Sequence, residues 1–161
     1  MILAFFCSEV NLSFAPMDNW WVDSRATTHI SVTMQGCLWS RLPSDAKRFI
    51  YMADDNKVAV RAVRTFRLCS KTGLFLDLFE TFYVPSFRRN LVSVSRLDKS
   101  DYHCSFGNNK VSLFQNSNII CSGFLIDNLY NLDLNFCNEI LQTSSKGTKR
   151  KNKWEFCLIM A

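Results

Sequence analysis

Trp20-Trp21-Val22-Asp23-Ser24-Arg25-Ala26-Thr27-Thr28-His29 carries an apolar run straight into a turn dense in hydroxyls. Such a run reads as a strand ending in a tight turn, with Asp23 at the junction. The alternation of apolar run and turn continues downstream. Phe49-Ile-Tyr-Met52 meets the turn cluster Asp54-Asp55-Asn56-Lys57. Val58, Val60 and Ala62 alternate with Lys57, Ala59 and Arg61, and Phe66 and Leu68 alternate with Thr65 and Arg67. Val63 and Arg64 interrupt that polarity, which predicts a bulge or bend. Lys71-Thr72-Gly73 turns the chain into a long apolar run, Leu74 to Val84, ended by Pro85. Gly107-Asn108-Asn109 separates Tyr102 to Phe106 from Val111 to Phe114. Gln115 to Asn118 precedes Ile119 to Phe124, and Leu129-Tyr-Asn-Leu132 makes a last short strand. Strands at this spacing predict an all-β barrel or sandwich. Helix is expected only at Leu91 to Lys99 and Asn138 to Gln142.

A chain of 161 residues with 48% hydrophobic and 20% charged residues fits one globular domain and excludes a disordered chain or a coiled coil. No apolar run approaches the ~20 residues of a membrane-spanning helix. Met1 to Cys7 is apolar but lacks the basic start and small-residue cleavage site of a signal peptide. Glycine is scarce, 5 residues against 14 phenylalanines, which points to a dense core or to turns that have lost their glycines. Lys146, Lys149, Arg150, Lys151 and Lys153 form a basic cluster. Removing these five from the 19 Lys and Arg leaves 14, equal to the 14 Asp and Glu, so the excess charge is a tail and not a field. The tail is expected to be disordered, with weak, salt-sensitive contact to nucleic acid. Deleting residues 146–153 should then remove the salt dependence of RNA binding; an unchanged salt slope would discard the idea. The seven cysteines lie at least 16 residues apart, without a CxxC pair, and fit reduced thiols in an intracellular protein. His29 and His103 are too few for a metal cluster, so neither metal nor cofactor is expected.

A strand that delivers an aspartate into a hydroxyl-rich turn suits chemistry in which two carboxylates share one proton. One carboxylate acts as base on a water while the other donates to a carbonyl. Like charges about 3 Å apart cannot both stay ionised. The stretch around Asp23 resembles the Asp-Ser-Gly-Ala-Thr loop of the retropepsin-like proteases in copia and TNT-type retrotransposon Pol polyproteins. The resemblance runs on through Phe49 to Lys57, Leu76 to Pro85, Asn90 to Leu97 and Asp127 to Leu132, in the family's order.

The resemblance implies a small retropepsin-like closed β-barrel with a short helix. Residues 1–18 would be an N-terminal extension, 19–134 the barrel, and 135–161 a linker and basic tail opening a truncated pre-integrase segment. Asp23 would be the catalytic aspartate, Ser24 would orient it, and Thr27 would bond across a homodimer that contributes one Asp23 from each copy. Residues near 50–64 would form or support a flap, and Asn90 to Val92 would pack beneath the acid loop. The ancestral activity would be cleavage of a Gag-Pol polyprotein peptide in the cytoplasm, inside a virus-like particle, with nuclear entry as an alternative. Arg25 stands where the family has glycine. Its side chain would crowd the dimer axis, its guanidinium would favour two ionised carboxylates, and a left-handed φ there would add strain. An inactive copy is therefore expected. Glycine is also missing after Asp54, at Arg64 and at Asp101. A different reading is a non-catalytic, dimerising interaction module with a polyanion-binding tail.

Overall fold

The computed structural model describes residues 19–135. Its strands are β1 (Trp20–Asp23), β2 (Ile30–Ser31), β3 (Cys37–Arg41), β4 (Phe49–Tyr51), β5 (Lys57–Ala59), β6 (Ala62–Ser70) and β7 (Phe75–Tyr83). They continue as β8 (Asn90–Ser93), β9 (His103–Gly107), β10 (Lys110–Gln115), β11 (Asn118–Ile126), β12 (Leu129–Leu132) and β13 (Leu134–Asn135). One short helix, α1 (Val94–Asp98), and a 3-10 turn at Asp45–Lys47 complete the described residues. The all-β expectation holds. The N-terminal extension, the Asn138 to Gln142 helix and the basic tail lie outside the described residues.

Eleven strands share one sheet in the order β13-β6-β7-β2-β8-β1-β12-β11-β10-β9, with β3 also on β6. The expected closed barrel is not found among the described residues: their pairing is a path with two ends, and β9 pairs there with β10 alone. The sheet rolls round its core without sealing. Asp133 lets the chain leave β12, paired with β1 and β11, and rejoin at β6 as β13. β4 and β5 form a separate hairpin.

The larger core lies inside the roll. Trp20, Val22, Phe66, Leu76, Leu78, Val92, Leu97 and Leu113 are buried there, each from the inward phase of its element. Trp20 meets Phe66 edge to face, with ring centroids 5.1 Å apart. A second cluster gathers Ile30, Ile50, Val63, Phe82 and Val84 under the β4–β5 hairpin. The expected helix from Leu91 begins later, at Val94, because Leu91 and Val92 pair with β1 as strand. Sheet pairing outweighs local helix propensity there.

The irregularity expected at Val63 and Arg64 is a bulge whose extra residue lies on the partner strand. Arg64 opposes Thr81 and Phe66 opposes Leu78, so Phe79 and Glu80 share Thr65. Arg64 is a buried β6 residue with its guanidinium 3.6 Å from the Tyr83 ring centroid. Of the described cysteines, Cys37 and Cys121 are buried and Cys69 and Cys104 half-buried. Burial pushes the Cys104 thiol up to about 11 and that of Cys121 to about 12, so both stay protonated and unreactive at neutral pH.

Turn chemistry explains the scarcity of glycine. The two-residue loops Asn108–Asn109, Asn116–Ser117 and Asp127–Asn128 have positive φ at both positions. That is the type I′ hairpin signature, whose twist matches the flanking strands. Asn and Asp tolerate this region better than other L residues, so they serve where glycine is usual. Asp55 (φ 62°) and Asp101 (φ 61°), where the resembled family has glycine, also adopt it. Gly123 has the opposite role. A Cβ there would lie 2.4 Å from the Asn131 carbonyl oxygen, so β11 and β12 could not keep their spacing. Ser117→Gly is expected to raise stability by about 1 kcal/mol, and Gly123→Ala to lower it by more than that. Urea midpoints would check both, and a lower midpoint for Ser117→Gly would refute the assignment of strain.

Candidate active site at the junction of β1 and β8

β1 stops at Asp23 because its side chain closes the turn on itself. Asp23 Oδ1 accepts the backbone N–H of Arg25 at 2.8 Å and of Ala26 at 3.3 Å. Together these two bonds make an Asx turn. Ser24 is exposed, with no side-chain hydrogen bond among the described residues. Asp23 itself is half-buried, and Thr27 is exposed on the same loop.

β8 runs parallel to β1 in the register Trp20–Asn90 through Asp23–Ser93. Polar side chains at both ends of β8 tie the acid turn down. Asn90 Oδ1 accepts the Val32 N–H at 2.7 Å, and its Nδ2 donates to the Asn19 carbonyl at 3.1 Å. Ser93 Oγ donates to the Ala26 carbonyl at 2.5 Å and accepts the Arg96 N–H, which caps α1. The Ser93 N–H donates to His29 Nδ1 at 3.0 Å. His29 is therefore the neutral tautomer protonated at Nε2. Burial, and after it the nearby Arg96, pushes its pKa down to about 3.

A second tie comes from β7. The Thr28 hydroxyl donates to the Glu80 carbonyl at 3.3 Å. Glu80 is the bulged residue and has φ 53°, a strained value for an L residue with a long side chain. Its carboxylate takes a two-pronged contact from Arg41 at 2.8 and 2.9 Å and another from Lys47. Those bonds, Lys47 first and Arg41 next, hold the Glu80 carboxyl below its usual range. The bulge is thus clamped from the β3 side while its carbonyl serves the acid loop.

Arg25 is exposed and is not among the residues with positive φ. The left-handed strain expected of it does not arise, because the turn bends without that conformation. Asn90 to Val92, expected beneath the loop, are the β8 residues described above. Beside Asp23 opens a cavity of about 530 Å³ whose lining also includes Phe106, Leu129 and Tyr130. Residues 49–59 form the free-standing hairpin, with Ile50 buried and Phe49 and Tyr51 exposed on either side of it. The Lys57 ammonium lies 5.8 Å from the Phe49 ring centroid and 5.4 Å from that of Tyr51. The described residues contain no group of three His, Cys, Asp or Glu side chains placed to hold a metal ion.

The bracing hydrogen bonds of Asn90 and Ser93 were not expected from the sequence, although two polar residues flanking Leu91-Val92 were a visible signal. Phe106 and Tyr130 meet only through the successive pairings β9–β10, β10–β11 and β11–β12, which leave no local mark.

A family model described as Pol polyprotein, beta-barrel domain matches residues 20–102, more than half of the chain. A retrovirus-related Pol polyprotein from transposon TNT 1-94 of Nicotiana tabacum is 25% identical over 122 residues. The match covers 76% of this chain and 9% of that relative. No solved structure matches.

The His29 brace carries a pH signature. Its folded pKa lies below the unfolded value of about 6.5, so the unfolded chain binds more protons between the two. Its contribution is full above pH 6.5 and is lost as pH falls toward 3. His29→Leu strands the Ser93 N–H and should cost about 1–3 kcal/mol at pH 7. It should also flatten the decline of stability between pH 6.5 and 4. Denaturant titrations of both proteins across that range would show it; equal slopes would count against His29 as the source.

Proposed function

The chain belongs to the Pol polyprotein β-barrel domain family, and on that premise we propose that it is an aspartic-protease-like domain of retrotransposon origin whose acid is Asp23. The observation that carries this reading is the geometry of the acid. Asp23 sits at a strand end, is oriented by two backbone N–H groups, is braced by the parallel strand beside it, and borders an open cavity. A carboxylate so held has its other oxygen available for a water or for a second carboxylate.

The chemistry is hydrolysis of a peptide bond by activated water. One carboxylate takes the proton of the attacking water, and its mate donates a proton to the scissile carbonyl oxygen. The described residues present one such loop, so the pair requires a homodimer with one Asp23 from each copy. The substrate would be a Gag-Pol polyprotein peptide. The β4–β5 hairpin is the element suited to act as a flap, since it pairs with no strand of the large sheet.

This copy is read as inactive. Arg25 is exposed on the loop that must approach its twin, and a long cationic side chain on each copy obstructs that approach. Beside a dyad that needs one shared proton, added positive charge favours the doubly ionised state. The obstacle is therefore space and charge.

Incubation with a Gag-Pol polyprotein substrate tests the reading. The unaltered chain should leave it intact, Arg25→Gly should cleave it, and adding Asp23→Asn to Arg25→Gly should abolish the cleavage. Cleavage by the unaltered chain that depends on Asp23 would overturn the inactivity. Cleavage indifferent to Asp23→Asn would overturn the site.

A further inference from the structure

The β4–β5 hairpin has two unlike faces. Ile50 is buried in the smaller core, and Val58, its cross-strand partner, packs against that core. Phe49 and Tyr51 project from the opposite side of β4, as alternation along a strand requires, and remain 46% and 43% exposed. Two residues apart, they stand roughly 6–7 Å from each other along the strand. Opposite Tyr51 is Lys57, and opposite Phe49 is the small Ala59. The Lys57 ammonium lies 5.8 Å from the Phe49 ring centroid and 5.4 Å from that of Tyr51, so it is shared between the two rings. Neighbouring cations are held by carboxylates: Arg41 and Lys47 by Glu80, Arg48 by Asp45, and Arg67 by Asp77. Lys57 makes no ion pair among the described residues. The Asp54 carboxylate at the hairpin tip is turned to its own loop, where it accepts from the backbone and side-chain amides of Asn56.

We propose that this outer face binds a single-stranded nucleic acid, with one base stacked on each ring and the Lys57 ammonium on a phosphate oxygen between them. The rings select unpaired bases. In a duplex the base faces are already stacked on one another, and a ring standing on a sheet cannot reach them. The ammonium selects a polyanion, since a neutral peptide laid over the rings would leave Lys57 without a counter-charge. Asp54 and Asp55 sit at the turn, so a phosphate chain is drawn along the strands from Lys57 toward Arg48 and Arg61, both exposed. Every base has a π-face, so the site tolerates any sequence. Sequence alone assigned all salt dependence to residues 146–153; Lys57 takes the share of one phosphate contact. The inference goes beyond the proteolytic reading. It calls on neither Asp23 nor a second copy, and it uses the side of the hairpin turned away from Ile50.

The test titrates a fluorescein-labelled DNA strand of about sixteen nucleotides, alone or annealed to its complement, into the isotopically labelled full chain. The single strand should shift the backbone amides of residues 48–52 and 56–60, and the duplex should leave them in place. Phe49→Leu and Tyr51→Leu keep an apolar group but remove the ring, and each should weaken single-strand binding about fivefold or more. Tyr51→Phe keeps the ring and should stay within about twofold. Both positions are exposed, and unmoved resonances of the larger core report that the fold is kept. Lys57→Met should lower the slope of log affinity against log salt by about 0.7, whatever residues 146–153 contribute. Hairpin amides unmoved by the strand, or moved equally by the duplex, would overturn the proposal. So would leucine variants that bind as tightly as the unaltered chain, or an unchanged salt slope in Lys57→Met. Hairpin shifts caused by a blocked valine and phenylalanine peptide, and not by the strand, would assign the face to a polypeptide and overturn it as well. Binding is read without turnover, so a failure of proteolysis leaves it standing and its own failure leaves the proteolytic reading standing.

Discussion

The parallel pairing of β1 with β8 is the constraint on which the acid turn depends. Parallel neighbours cannot be joined by a tight hairpin, so the long connection from Ser24 to Arg89 separates the two strands that bring Asp23 and Ser93 level. Once level, the ends of β8 hold the turn through polar side chains in a buried setting. Asn90 reaches both Val32 and Asn19, while Ser93 reaches Ala26 and, through its N–H, His29. Buried polar groups satisfied in this way are directional, and an apolar pair of the same volume would leave the turn free to slide. The rigidity of the acid loop is therefore imposed by its neighbours as well as by its own residues.

The chain meets its need for left-handed backbone largely without glycine. Asn and Asp occupy most of the hairpin and loop positions with positive φ, and Ser117 one more. Glu80 is the exception in kind, a long side chain at φ 53° inside a strand. Arg41 and Lys47 hold its carboxylate, and the energy of those contacts offsets part of the backbone strain at the bulge. That arrangement links the segment before the free hairpin to Thr28 of the acid loop through a single residue. Arg25 belongs to a different class. Its backbone is unstrained, so what glycine would provide there is the absence of a side chain.

Most of the strands were legible, because period-two alternation reports which face meets the core and Asn-rich pairs mark tight hairpins. The roll of the sheet was not. β2 and β13 are two residues long and exist only because β7, β8 and β6 lie beside them; no local pattern encodes so short a pairing. The helix start was misplaced for the same reason, since Leu91 and Val92 are drawn into the sheet by β1. That β9 pairs with β10 alone among the described residues was equally hidden, as closure depends on where the last strands land.

The amino-acid order alone determined that Asp23 would stand where an apolar strand breaks into a turn, since hydrophobic periodicity and turn-forming side chains act over a few neighbouring residues. It also determined that Arg25 would load that turn with bulk and positive charge. Which groups steady the acid, and which aromatic residues line the cavity beside it, were decided by tertiary structure. Ser93, Glu80, Phe106 and Tyr130 arrive from separate strands, and long-range pairing brings them to the acid loop.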